Sequence, residues 1–296
     1  MGIWVAAALT TIAAVLVVGA TLARLTRDQR GSRVFLAVAA ALTLPACAAA
    51  LFWLREPLLH RAWLELARLA HPTLDDGALK KTLLYSFVRM LDAPLGEEPA
   101  KLWPLLLPWF RRELGRHEPV RVAMALGLGF GVGEIWVVAW LSAKSPAITA
   151  LPFWAFGGFL VERLLVCFMH GAFTAAALRR WGNGFLRGCL LAAALHFAGN
   201  FPIFFRIVGV PSLSPAGWSQ VLSLWVVVYA LAMLAFLSRL LFGAVEPGKL
   251  LHGTAVCSSC GETYGRPLLL ALNLGARRYE RCSRCGKWQW PRTGAA

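Results

Sequence analysis

The chain has 296 residues, 58% of them apolar and 15% charged, with a mean hydropathy of +0.60. An ordinary soluble domain carries about 25% charged residues, so composition excludes a soluble globular enzyme and a disordered chain. The 30 Lys and Arg exceed the 15 Asp and Glu, but most charges lie between long apolar runs, which reads as membrane topology before nucleic-acid binding; the 7 Cys are too few for a disulfide-stapled secreted scaffold.

A membrane span needs about 20 mostly apolar residues. The first candidate is Ile3 to Leu22. Its positive residues follow it, so it reads as a retained span and not a signal peptide. The next is Val34 to Leu54. Leu58 to Leu69 carries His60, Arg61, Glu65 and Arg68 at helical spacing and reads as an amphipathic interfacial helix. Thr82 to Leu91 is a short apolar piece, and Leu95 to Phe110 is interrupted by Pro99, Pro104 and Pro108. Further spans are expected at Arg121 to Leu141, Ala147 to Leu178, Leu190 to Ile207 and Trp218 to Leu237.

Loop charges set the orientation. Arg24, Arg27, Arg30 and Arg33 mark one cytoplasmic loop, Arg111, Arg112, Arg116 and Arg121 a second, and Arg179, Arg180 and Arg187 a third. The loops around Lys144 and Val210 are poor in charge. This alternation works if Arg55 to Phe110 crosses once. The expected fold is an all-α polytopic cell-membrane protein with about seven transmembrane helices. Its N-terminus lies outside and its C-terminus in the cytoplasm.

After Phe242 the composition changes. The helical domain is expected over 1–246 and a second domain over 247–296. That domain carries CSSCG at Cys257 to Gly261 and CSRCG at Cys282 to Gly286. Two CxxCG knuckles, with 21 residues between Cys260 and Cys282, are the pattern of a zinc ribbon. Four thiolates, from Cys257, Cys260, Cys282 and Cys285, close a tetrahedral structural zinc site, and so small a core needs the metal to fold. The ribbon is basic: Lys249, Arg266, Arg277, Arg278, Arg281, Arg284, Lys287 and Arg292 face Glu262 and Glu280, with Trp288 and Trp290 beside them. Docking on anionic lipid headgroups is the leading reading of that charge. Nucleic acid is the lesser one, and a partner or substrate tail the third. Cys47, Cys167 and Cys189 read as small packing residues.

Ionisable residues within spans are costly and point to function. Glu97 and Glu98 are adjacent, with Lys101 one turn on. Glu134 follows Gly127, Gly129, Gly131 and Gly133. Glu162 and Arg163 precede His170, and His196 with Asn200 forms HxxxN. His196 and Asn200 share a helix face, as do Arg163 and His170 two turns apart. Glu162 is rotated from His170 by about 80°, which leaves it as a partner for Arg163. Gly127 with Gly131, and Gly129 with Gly133, have the small-xxx-small spacing of close helix contacts, which would bring Glu134 near the two His. Two His with carboxylates suit a divalent metal that activates water, zinc above all. Glu97 and Glu98 cannot both be ionised in a low-dielectric site without a cationic partner, which Lys101 or a metal would supply.

These residues, in this order, resemble the PrsW family of intramembrane proteases, related to the CAAX-processing proteases. GEEPAK at Gly96 to Lys101 resembles the EExxK motif, and GLGFGVGE at Gly127 to Glu134 the glycine-rich GFxxxE motif. Arg163 with His170 resembles the third motif, and HFAGN at His196 to Asn200 the HxxxN motif. The likeness covers about residues 91–205, the expected catalytic core. The ribbon and Ile135 depart from the family pattern. The resemblance implies hydrolysis of a peptide bond in a membrane-anchored protein, of which anti-sigma factors are one class. It makes Glu97 or Glu98 the general base. Glu134, His170 and His196 then hold a metal or orient the water, and Asn200 assists the oxyanion or fixes His196. A non-catalytic scaffold or sensor signalling through the ribbon is the alternative. A proton-coupled transporter would require internal repeats, and none is seen.

Overall fold

The computed structural model describes residues 1–25, 30–209, 212–242, 254–266, 271–274 and 277–293. Arg27, Val210, Lys249 and the expected 246/247 boundary lie outside them. The chain forms two compact units, Met1–Ala230 and Leu231–Ala296.

The first unit is helical. Helix α1 (Gly2–Leu25) is followed by α2 (Arg30–Thr43), α3 (Ala46–Ala49), a π-helical segment (Ala50–Leu59) and α4 (His60–Ala70). Leu44 and Pro45 make the turn between α2 and α3. The expected second span and interfacial helix therefore join into one continuous candidate span, Gly31–Ala70, with the charged α4 at its end. Pro57 has no N–H to give and sits inside the π segment, whose wider turn avoids the clash of a proline ring in an α-helix.

Short pieces follow: α5 (Asp76–Leu79), α6 (Leu83–Arg89), α7 (Asp92–Lys101), a 3-10 turn (Trp103–Leu106) and α8 (Pro108–Leu114). They run back beside the preceding helices. Tyr85 Oη meets His60 Nδ1 at 2.7 Å, and Arg89 meets Glu56 at 3.2 Å. Arg55 meets Glu97 at 2.6 Å, and Trp103 Nε1 donates to Leu42 O at 3.0 Å. Phe110 packs on Phe35 with ring centroids 5.0 Å apart. From His60 back to Phe35 is roughly 38 Å of helix, more than the hydrocarbon thickness of about 30 Å. Pro104 and Pro108 each begin a new piece because neither can continue the preceding ladder.

Long helices complete the unit: α9 (Pro119–Ser142), α11 (Gly157–Leu178), α12 (Phe185–Val208) and the first part of α13 (Pro215–Phe242), whose residues from Leu231 on belong to the second unit, with α10 (Pro146–Thr149) between α9 and α11. The overlong run at 147–178 is divided by Pro152 and a 3-10 turn at Phe153–Phe156. Among the described residues six helices are long and apolar enough to cross a membrane: Gly2–Ala23, Gly31–Ala70, Pro119–Ser142, Phe153–Leu178, Phe185–Val208 and Pro215–Leu237. The protein is a helical polytopic membrane protein. No single helix between Arg55 and Phe110 is among the six; that stretch returns as broken pieces.

Helix α9 is the axis of the unit, packed by α1, α2 and α11. Its glycines make this possible. A Cβ at Gly127 would fall 2.2 Å from Gly171 N of α11, and one at Gly129 would fall 1.8 Å from Ala40 O of α2. No side chain fits there, so backbones meet directly on both sides of α9.

The second unit ends in small antiparallel strands. β1 (Thr254–Val256) pairs with β2 (Thr263–Gly265) and β6 (Arg292–Thr293), in the order β2-β1-β6. β4 (Arg277–Arg281) pairs with β3 (Ala271–Leu274) and β5 (Trp288–Gln289), in the order β3-β4-β5. Cys257 follows β1 and Cys282 follows β4.

Candidate functional site

Two clusters of ligating side chains stand out. In the ribbon, Cys257, Cys260, Cys282 and Cys285 converge. Each knuckle closes on a glycine in the left-handed region, Gly261 at φ +72° and Gly286 at φ +69°. The Gly261 amide donates to Cys257 O and the Gly286 amide to Cys282 O, both at 3.0 Å. Sulfurs on opposite knuckles lie 3.6 Å apart for Cys257 and Cys285, and 4.0 Å apart for Cys260 and Cys282. A tetrahedral ion with about 2.3 Å bonds to sulfur spaces its thiolates by about 3.8 Å. The cluster can therefore hold a metal such as zinc. Burial would push the Cys257 thiol up, but amides donating to its sulfur outweigh that and hold it at about 6.

The second cluster lies inside the helical unit. Glu97 and Glu98 sit on α7 and are nearly fully buried. Each has its own cation. Arg55 Nη1 donates to Glu97 Oε1 at 2.6 Å, and Lys101 Nζ donates to Glu98 Oε1 at 2.5 Å. The conflict between adjacent carboxylates is thus resolved by two side chains. Lys101 is completely buried, with Phe130 and Phe173 rings 5.2 and 5.5 Å from its ammonium.

The two His are fixed by different partners. Lys101 Nζ lies 3.0 Å from His170 Nδ1, and His170 Nε2 lies 2.7 Å from Glu134 Oε2. An ammonium only donates, so Nδ1 is the acceptor and Nε2–H donates to Glu134. The other oxygen of Glu134 accepts from Arg163 Nη1 at 2.9 Å. Arg163 also meets Glu162 at 2.5 Å, and that Glu162 side chain is 48% exposed. His196 Nδ1 donates to Glu98 Oε1 at 2.6 Å. Its Nε2 is then an acceptor, 3.8 Å from Glu97 Oε2. The His196 ring stacks on Phe173 with centroids 5.1 Å apart.

A cavity of about 390 Å³ opens against this cluster. Arg55, Glu97, Glu134, Arg163, His170, His196 and Asn200 line it, while neither Glu98 nor Lys101 does. Glu97 faces the space and Glu98 stands behind it as the hydrogen-bond partner of His196. All the expected polar residues come together here, from α7, α9, α11 and α12. Arg55 was not foreseen. It lies 42 positions from Glu97, and no local pattern marks it; it reads from sequence as a charge closing an apolar run.

The metal expectation changes in detail. The set whose ligand atoms lie within 4.8 Å of one another is Glu97, His170 and His196, with Glu97 in the place expected for Glu134. Glu134 is instead engaged by Arg163 and His170. Both nitrogens of His170 have partners, one of them an ammonium that would repel a divalent cation. The residues present do not fit a metal well. They fit a polarised water, because Glu97 Oε2 and His196 Nε2 are two acceptors facing one cavity.

The fold and these contacts define a helical membrane protein with a paired, buried polar centre and a four-cysteine ribbon. No family model, no curated protein and no solved structure matches the chain.

Proposed function

We propose that the helical unit is an intramembrane peptide hydrolase of the PrsW type, acting on membrane-anchored proteins. The observation that carries this reading is the pairing of Glu97 Oε2 with His196 Nε2, 3.8 Å apart on the wall of the cavity. A water between them gives one proton to Glu97 while its oxygen adds to the substrate carbonyl carbon. The Asn200 amide and the Arg55 guanidinium, both lining the cavity, donate to the oxygen that gains charge. The C–N bond then breaks, and Glu97 returns the proton to the departing amine. Glu98 holds His196 in the tautomer that leaves Nε2 free to accept. Lys101, Glu134 and Arg163 fix His170 on the opposite wall.

Support over a scaffold or sensor comes from the contacts. A scaffold would bond these groups to one another with no path for water, whereas here Glu97, Glu134, His170, His196 and Asn200 line a cavity of about 390 Å³. In this reading the return of residues 85–117 is the seventh crossing. Broken helices are tolerated at membrane depth where protein buries them or they line a cavity. They bring Glu97 and Glu98 to the middle of the membrane. The basic loops then put the N-terminus outside and the ribbon, with its structural zinc, in the cytoplasm.

The test is a comparison of protein N-termini in membranes of cells carrying the wild-type chain, Glu97→Gln or His196→Ala at matched levels. New N-termini within or next to transmembrane segments should appear with the wild type alone. Their presence at equal abundance with both variants would overturn the proposal.

A further inference from the structure

The paired strands β4 and β5 bury polar side chains and expose aromatic ones. Residues directly opposite on paired antiparallel strands share a face. Glu280 pairs with Gln289, and Arg281 with Trp288. The first pair points inward. Arg278, Glu280 and Gln289 are 2%, 0% and 6% exposed. Their polar atoms are tied together: Tyr264 Oη donates to Glu280 Oε1 at 3.1 Å, Gln289 Nε2 donates to Tyr264 Oη at 3.2 Å, and the Ser258 amide donates to Gln289 Oε1 at 2.8 Å. The second pair points outward. Trp288 and Trp290 are 43% and 40% exposed. Tyr279 joins them, its ring centroid 5.5 Å from Trp288 and 4.9 Å from Trp290.

A domain in water gains nothing by hiding charges and displaying indoles. Buried polar groups and a clustered aromatic surface are the informative departures from ordinary burial. Arg281 lies directly across from Trp288 on this face, and exposed Arg284 and Lys287 lie in the turn between β4 and β5, where Arg284 pairs with Glu262 and Lys287 Nζ donates to Ser259 Oγ at 3.2 Å. Indoles beside cations suit one surface well, the boundary between hydrocarbon and anionic headgroups. The tether selects that surface. Helix α13 ends at Phe242 and β1 begins at Thr254. The chain between them, residues 243–253, reaches at most about 40 Å even fully extended. The ribbon is therefore confined near the bilayer that holds α13, whereas a nucleic acid would have to come to it.

We propose that the Tyr279–Arg281–Trp288–Trp290 face docks on the anionic headgroups of the bilayer that holds the helices. The proposal stands whether or not the cavity hydrolyses peptides.

The test is hydroxyl-radical footprinting of the full chain in nanodiscs of phosphatidylcholine alone or mixed with phosphatidylglycerol, read at Trp288 and Trp290 by mass spectrometry. Oxidation should fall several-fold in the anionic discs. In the double variant Arg281→Gln, Lys287→Gln with wild-type metal content, that protection should be lost. Equal oxidation of the wild-type chain in both discs would overturn the proposal whatever the variant does. Stronger protection by a single-stranded RNA oligonucleotide in neutral discs than by phosphatidylglycerol would also overturn it.

Discussion

Both units hide charged groups, but the two do it in different solvents. The helical unit gathers Glu97, Glu98, Lys101, Glu134, His170 and His196 around one cavity and presents apolar side chains outward, which is the resting arrangement against lipid. The ribbon buries Arg278, Glu280 and Gln289 and also presents aromatic rings outward, which against water is not a resting arrangement. One exterior is already at home, and the other calls for a surface to cover it. The means of assembly differ too. Glycine-lined backbone contacts draw four distant motifs together in the helices, whereas two short turns and four thiols organise the ribbon.

The comparison can be broken most severely at the ribbon. Cys282→Ser removes one of the four thiols that can hold a metal; structural zinc sites of this kind bind with an apparent energy on the order of 10–16 kcal/mol. Metal content should fall to none per chain and the ribbon should unfold, while the melting of the helical unit in detergent stays put. The same site should answer to pH. The folded ribbon keeps Cys257 a thiolate down to about 6, against an ordinary 9.0. That contribution is complete above pH 9 and is lost as pH falls through 6, so metal retention against a chelator should weaken in that direction.

Within the helices the largest effect is expected at Lys101. Lys101→Met leaves Glu98 buried beside His196 without its cation, which costs about 3–5 kcal/mol. The double variant Lys101→Met, Glu98→Gln should recover part of that loss. Glycine contacts come next. Gly129→Ala puts a methyl into the Ala40 carbonyl and should cost about 1–3 kcal/mol or more. Gly158→Ala, where a Cβ meets nothing within 4 Å, should cost nothing and can gain from helix propensity. Equal melting of these two variants would break the account of α9. Glu162→Gln sits at the small end. Its half-exposed pair with Arg163 is worth about 0–1 kcal/mol, so melting should hardly move.

Much of this was legible in the sequence. Long apolar runs mark all six helices long enough to span, because lipid demands continuous apolar length. The small-xxx-small spacing on α9 foretells the close approach that delivers Glu134 to His170. The CxxCG spacing foretells the converging thiols. The features that escaped are set by contacts far apart in the chain. Arg55 reaches Glu97 through a π segment that no local residue pattern signals. Glu97 and Glu98 are indistinguishable in sequence, and only the placement of α7 turns one to the cavity and the other to His196. Residues 71–114 carry prolines that say where helices stop but not that the pieces retrace the path of α2. The inverted faces of β4 and β5 read as ordinary alternation until burial shows which side is inside.

The central claim is that groups distant in sequence meet at one buried centre, and a double-mutant cycle between Glu98 and His196 tests it most directly. The two are 98 positions apart and hydrogen-bonded at 2.6 Å. Thermal stability of the wild type, Glu98→Gln, His196→Ala and the double variant in detergent should give a coupling of about 0.5–3 kcal/mol. Effects that add to within about 0.5 kcal/mol would contradict the account.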